Sequence, residues 1–133
     1  MSRYFDKEEH LKATLLCEEA EKVAKDITSE KDRRGRLKLK AHQLRRFFNE
    51  FKGLQRKLDT KTDKEAGYRA LHPIVKMTIA KVKYAKGRDL VPGTFVDWFE
   101  DCVQDIKDVK SFEAFVLHFE AVVGYCYGLG LKD

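Results

Sequence analysis

Apolar residues recur along this chain at helical spacing, and no segment shows a clear period of two. In residues 37–58, LKLKAHQLRRFFNEFKGLQRKL, an advance of about 100° per residue brings Leu37, Ala41, Leu44, Phe48, Phe51 and Leu58 into one stripe, flanked by Phe47 and Leu54. That stripe predicts a helix over 37–58 with an aromatic buried face. Beside it runs a narrower stripe of Lys38, Arg45, Asn49, Lys52 and Arg56, without a carboxylate. One helix thus offers aromatics to a core and a line of positive charge to something outside.

The same periodicity predicts four further helices. Residues 5–27 read as an amphipathic helix with a thin apolar edge of Leu11, Leu15, Ala20, Val23, Ala24 and Ile27. A charged loop follows, TSEKDRRG, with Arg33, Arg34 and Arg36 clustered at its end; it reads equally as solvated surface or as a phosphate-contacting loop. Residues 59–70 are polar and undecided. Pro73 disfavours helical geometry at His72 and fits a first turn, so the third helix is expected to start there. Leu71, Val75, Thr78, Ile79 and Val82 should face in, Lys76 and Lys83 should share the outer face, and Gly87 should follow the last helical turn with Arg88 directly behind it. Thr94 and Asp97 resemble a capping box for a fourth helix over 95–109, which buries Phe95, Trp98, Phe99, Cys102, Val103 and Ile106 and turns Asp97, Glu100, Asp101, Asp105 and Asp108 outward. Ser111 can cap a fifth helix over 112–127, apolar around more than half its circumference and therefore either the centre of a bundle or a helix that also meets a partner. The expected fold is all-α, a compact bundle of about five helices with no sheet, in a single domain spanning 1–133.

Charge sharpens this picture. The formal net charge is +5, but residues 30–58 hold eleven Lys and Arg against three carboxylates, and residues 59–90 hold eight against four. Residues 1–29 carry five against seven, and residues 91–133 three against eight. A basic middle between acidic ends suits a polyanion, or the acidic end of a neighbouring copy. Cys17, Cys102 and Cys126 each sit in an apolar helical pattern and read as buried, reduced thiols of a cytoplasmic protein. MSRYFDKEEH lacks the apolar run of a secretory signal, and no stretch approaches the length of a membrane span.

Catalytic chemistry finds little support. His10, His42, His72 and His118 fall one per segment, without HExxH, Cys/His ligand spacing, GxxxxGK[ST] or GxSxG. The adjacent carboxylates Glu8/Glu9, Glu18/Glu19 and Glu100/Asp101 lie on polar faces. No metal or cofactor is expected. What remains is basic chemistry: lysines and arginines along helices neutralise phosphates without reading sequence. The phenylalanines of 37–58 share a face with Leu44 and Leu58 and belong to the core, which leaves Tyr84 as the aromatic to consider for base stacking.

At QLRRFFNEF (43–51), KVKYAKGR (81–88) and FEAFVLHFEAVVGYCYG (112–128), the chain resembles the small helical subunit of the Csm effector complex of type III-A CRISPR systems. The order and spacing of these motifs carry the resemblance, which covers roughly 41–128. It implies a non-enzymatic bundle present in several copies that stack head to tail beside the backbone and large subunits, and that contact guide and target RNA through basic residues. Carried over, those residues are Arg45 and Arg46 in QLRRFF, and Lys81, Lys83, Lys86 and Arg88 in KVKYAKGR. Lys38, Lys52 and Arg56 join them from the stripe and Lys76 from the third helix. Arg46 points about 100° from Arg45, so the two should serve different surfaces. A competing reading is a helical adaptor whose basic face binds an acidic protein; a small enzyme is a third.

Overall fold

A helix that is apolar around most of its circumference has to be covered on most sides, and α5 (Val109–Gly128) is covered so. It buries Val109, Phe112, Phe115, Val116, Phe119, Val122 and Cys126, and α1 (Glu18–Ile27), α2 (Ala41–Asp59) and α3 (Lys64–Gly87) all pack on it. α4 (Gly93–Gln104) packs on α3 and α1, and a single 3₁₀ turn (Ala13–Leu16) precedes α1. The computed structural model describes residues 2–132; among them there are five α-helices and no sheet. The fifth helix is therefore the centre of the bundle.

The core is aromatic. Phe51 of α2 meets Phe115 of α5 at a ring separation of 5.0 Å, and Phe99 of α4 at 5.7 Å. Phe47, Phe95, Trp98, Phe112 and Phe119 extend the cluster. Ala41, Leu44, Phe51 and Leu58 are buried, as the helical spacing of α2 predicts, but Phe47, expected on the flank of the stripe, is buried while Phe48, expected within it, is half-buried. Each such side chain contributes roughly 1.5–3 kcal/mol of transfer free energy, so Phe51→Ala is the single change most damaging to α2.

Several boundaries differ from those read in the sequence. Residues 5–12 are not helical: an isolated bridge joins Phe5 to Leu11, and Tyr4 is buried at 2% exposure. Lys38 lies outside α2, because the chain bends at Lys38 and Leu39 before the extended N-cap Lys40, with Lys31 bridged to Leu37 and Leu39 buried. α3 begins at Lys64, where Asp63 accepts a hydrogen bond from the backbone N–H of Ala66, and it continues through Pro73, whose ring is exposed. Gly87 is the last residue of α3, and the left-handed conformation falls on Asp89 (φ 59°), while the Leu90 N–H returns to the Ala85 carbonyl. Thr94 sits inside α4 behind the N-cap Pro92, its hydroxyl buried with no hydrogen-bond partner among the described residues. The capping box belongs instead to α5, which starts at Val109 with Asp108, not Ser111, as its N-cap: Asp108 accepts from the N–H of Ser111, the N3 residue, at 2.9 Å. α4 stops at Gln104, so Ile106, buried as expected, lies in the connection between α4 and α5.

Candidate nucleic-acid interface

The cations singled out in the sequence fall on four different parts of the surface. On the side of α2 that faces α3, Arg46 joins Lys81 and Arg88 around a groove of about 340 Å³ with Phe47, Ala80, Ala85 and Leu90 among its lining. The Lys81 ammonium pairs with Glu50 Oε1 at 2.6 Å, the carboxylate of this groove. Tyr84 stands at its edge, 67% exposed. Arg88 Nη1 donates to the Tyr84 hydroxyl at 3.3 Å, and its guanidinium carbon lies 5.9 Å from the ring centroid.

Beyond the 88–92 connection, Lys38 and Lys86 line a second depression together with Lys31, Arg33 and Lys40. Glu30, Asp32 and Asp89 share that depression, so its charge is mixed. Lys38 Nζ reaches Glu30 at 3.9 Å. Asp32 accepts from the backbone N–H groups of Arg34 and Arg36 at 2.8 and 3.0 Å, and donation from Arg36 above all holds its carboxyl below the usual range. The arginine loop is thus wound around its own carboxylate. The Lys40 N–H donates to the Leu90 carbonyl at 3.3 Å and fixes this loop against the end of α3.

Arg45, Lys52 and Arg56 lie on another side of α2. Arg45 Nη1 donates to the hydroxyl of Tyr127, near the end of α5, at 2.9 Å. Lys52 Nζ donates to Gln55 Oε1 at 3.2 Å, while Arg56 is exposed. Arg45 and Arg46 therefore serve different surfaces, as their angular offset predicts.

The fourth group faces α4. Lys76 Nζ donates to the carbonyls of Val103 and Gln104, and Lys83 Nζ reaches Glu100 at 3.1 Å. These two lysines flank the acidic helix. Burial lowers the Lys76 pKa, with Asp105 acting in the opposite direction.

Sequence reasoning overlooked Lys31 and Lys40. Lys40 follows the buried Leu39 in RLKLK, which was the available signal for it, whereas nothing local marks Lys31. Sulfur chemistry also needs one correction. Cys102 and Cys126 are buried, which pushes both thiols up to about 12, but Cys17 is exposed and accepts a hydrogen bond from Tyr125. No helix among the described residues is long and apolar enough to cross a membrane.

A family model described as Csm2 Type III-A matches residues 10–127, which takes in all three motifs almost whole, every helix but the last residue of α5, and all the cations discussed above. Comparison with curated proteins and with solved structures gives no match.

Proposed function

Since the chain belongs to the Csm2 family of type III-A CRISPR systems, and so is a small subunit of the Csm complex, we propose that it holds RNA by the phosphate backbone and stacks with copies of itself. The observation that supports this reading most directly is the placement of cations around the 88–92 connection. Arg46, Lys81 and Arg88 stand on one side of it and Lys38 and Lys86 on the other, contributed by two stretches, 38–46 and 81–88, that lie far apart in sequence. A row of this kind neutralises phosphates without recognising bases, which suits a complex whose sequence choice comes from guide pairing. Arg45, Lys52 and Arg56 form a separate basic edge suited to a second strand contact or to a neighbouring subunit. Lys76 and Lys83, held by α4, and Lys81, paired with Glu50, have intramolecular partners and contribute least. The role is that of a scaffold, with guide and target RNA as ligands and the backbone and large subunits as neighbours. The acidic residues Asp97 and Asp101 of α4 are exposed and offer an unlike surface for the basic side of the next copy.

Fluorescence anisotropy with a labelled RNA at several salt concentrations tests the RNA part. Each phosphate contact on a single strand adds about 0.7 to the log–log salt slope. The triple variant Arg46→Ala, Lys86→Ala, Arg88→Ala should lower the slope by about two with unchanged helicity. An equal slope in both proteins would move the contact to Arg45, Lys52 and Arg56. Absence of binding at low salt, together with capture of an acidic protein, would favour the adaptor. Sedimentation velocity over a concentration series tests the stacking.

A further inference from the structure

We propose that the groove between α2 and α3 seats one unstacked nucleobase of the bound RNA, with the Tyr84 ring as its stacking surface and Arg46 and Arg88 on its flanking phosphates. The proposal rests on the RNA reading above and adds a contact to the base itself. Three observations carry it. Tyr84 is the most exposed large side chain of the apolar set, at 67%, and Ile74 and Met77 lie exposed on the same side of α3. An exposed ring among cations has the composition of a single-strand platform, because every base has a π-face and every nucleotide brings an anion. The groove's charge also selects its occupant: Lys81 and its carboxylate, Glu50, neutralise each other at 2.6 Å, and Arg46 and Arg88 leave the rim net positive. Its size of about 340 Å³ is at the lower end of small-ligand sites, room for one nucleotide rather than for a duplex or a partner helix.

Arg88 gives the site its order. Its guanidinium already leans on the hydroxyl end of the ring, so it reaches a phosphate while the rest of the ring stays open to a base. Such stacking is tolerant of sequence, because every base has a π-face, so oligo(A) and oligo(U) should both bind more tightly than a strand without bases.

The test uses the full chain and three labelled RNAs of about 30 nucleotides: oligo(A), oligo(U) and an abasic strand of equal length. The native protein should prefer oligo(A) over the abasic strand by about tenfold. Tyr84→Ala should abolish that preference and leave the salt slope in place, and Tyr84→Phe should retain both. Because Tyr84 is exposed, the alanine variant is expected to fold. A preference that survives in Tyr84→Ala, or that is missing from the native protein while RNA still binds, overturns the base site and spares the backbone reading. Loss of self-association in Tyr84→Ala with unchanged RNA binding overturns it in favour of a second copy as the occupant. No RNA binding at low salt overturns both readings together.

Discussion

The ammonium nitrogen of Lys76 lies 2.9 Å from the carbonyl oxygen of Val103, so a cation of α3 closes the C-terminal end of α4. The same nitrogen donates to Gln104 at 3.0 Å. A helix C-terminus leaves carbonyls without intrahelical donors and carries roughly half a negative charge, and a partly buried cation there contributes on the order of 1 kcal/mol. Lys76→Met should therefore lower the melting temperature by about 2–6 °C. It should also leave the RNA salt slope unchanged. A variant that melts normally but loses about 0.7 from the slope would instead place Lys76 on RNA.

The same helix end is closed from the other side by the N-terminal segment. Tyr4 is buried and its hydroxyl donates to the Cys102 carbonyl, while Arg3 Nε pairs with Asp105 at 2.7 Å. Burial drives the Tyr4 phenol far above its ordinary pKa, so it stays a donor throughout the physiological range. Tyr4→Phe removes one hydrogen bond and should cost about 1 kcal/mol, with Cys102 O left to find water. Tyr4→Ala also opens a cavity and should cost about 3–5 kcal/mol. Urea unfolding of the two variants separates the contributions; equal losses would mean that the hydroxyl, not the ring, docks the segment.

Elements whose burial follows from their own periodicity were legible in the sequence: the apolar faces of α2, α4 and α5 and the aromatic composition of the core. What stayed hidden depends on contacts across the fold. Nothing local distinguishes Tyr4 from a surface tyrosine, because its burial is created by α4, some 98 residues further on in the chain. RLKLK fits a helical stripe and an extended strand-like segment equally well over so few residues, and Leu39, not Leu37, is the fully buried leucine. The cations were found, but not their partners. Glu50 and Lys81 are 31 positions apart, and Lys83 and Glu100 meet only because α3 packs on α4. Net charge per segment therefore overstates the free charge of α3.

Pro73 is where the sequence misled most. It lacks the N–H that would bond the Arg69 carbonyl, and its ring crowds that carbonyl, yet α3 runs through it for 24 residues. Packing of Tyr68, Val75, Thr78 and Val82 on the bundle, with Asp63 capping the start, outweighs the local penalty. Since the ring is exposed, Pro73→Ala restores a hydrogen bond without disturbing the core. The gain is reduced by the greater freedom of the unfolded chain, and a net stabilisation of about 1–2 kcal/mol is expected. Calorimetry of the variant decides the matter, and a lower melting temperature would show that a bend at Pro73 is required by the packing of α3.

His118 gives the bundle a dependence on pH whose sign can be worked out. Its Nδ1 lies 2.6 Å from the Leu15 carbonyl and donates to it, while its Nε2 accepts the Trp98 indole N–H at 3.0 Å. Those two bonds hold a neutral ring in one tautomer; a second proton would set two N–H groups against each other. Burial lowers the pKa below 6.5, with the Leu15 carbonyl and Glu19 pulling it upward and Arg3 pushing it down. The unfolded chain therefore takes up a proton before the folded one, and stability falls as pH drops below 6.5 towards the folded value, by at most about 1.4 kcal/mol per pH unit. Above 6.5 the group contributes no slope. Asp6, Asp32 and Asp108 act in a lower window, because their carboxyls are held below 3.8 and stability tied to them is lost only as pH falls through that range. Urea midpoints at pH 8, 6.5 and 5 for the native chain and His118→Gln isolate the histidine: the native midpoint should drop between pH 6.5 and 5 more steeply than the variant's. Parallel curves would mean that His118 is not the group that titrates.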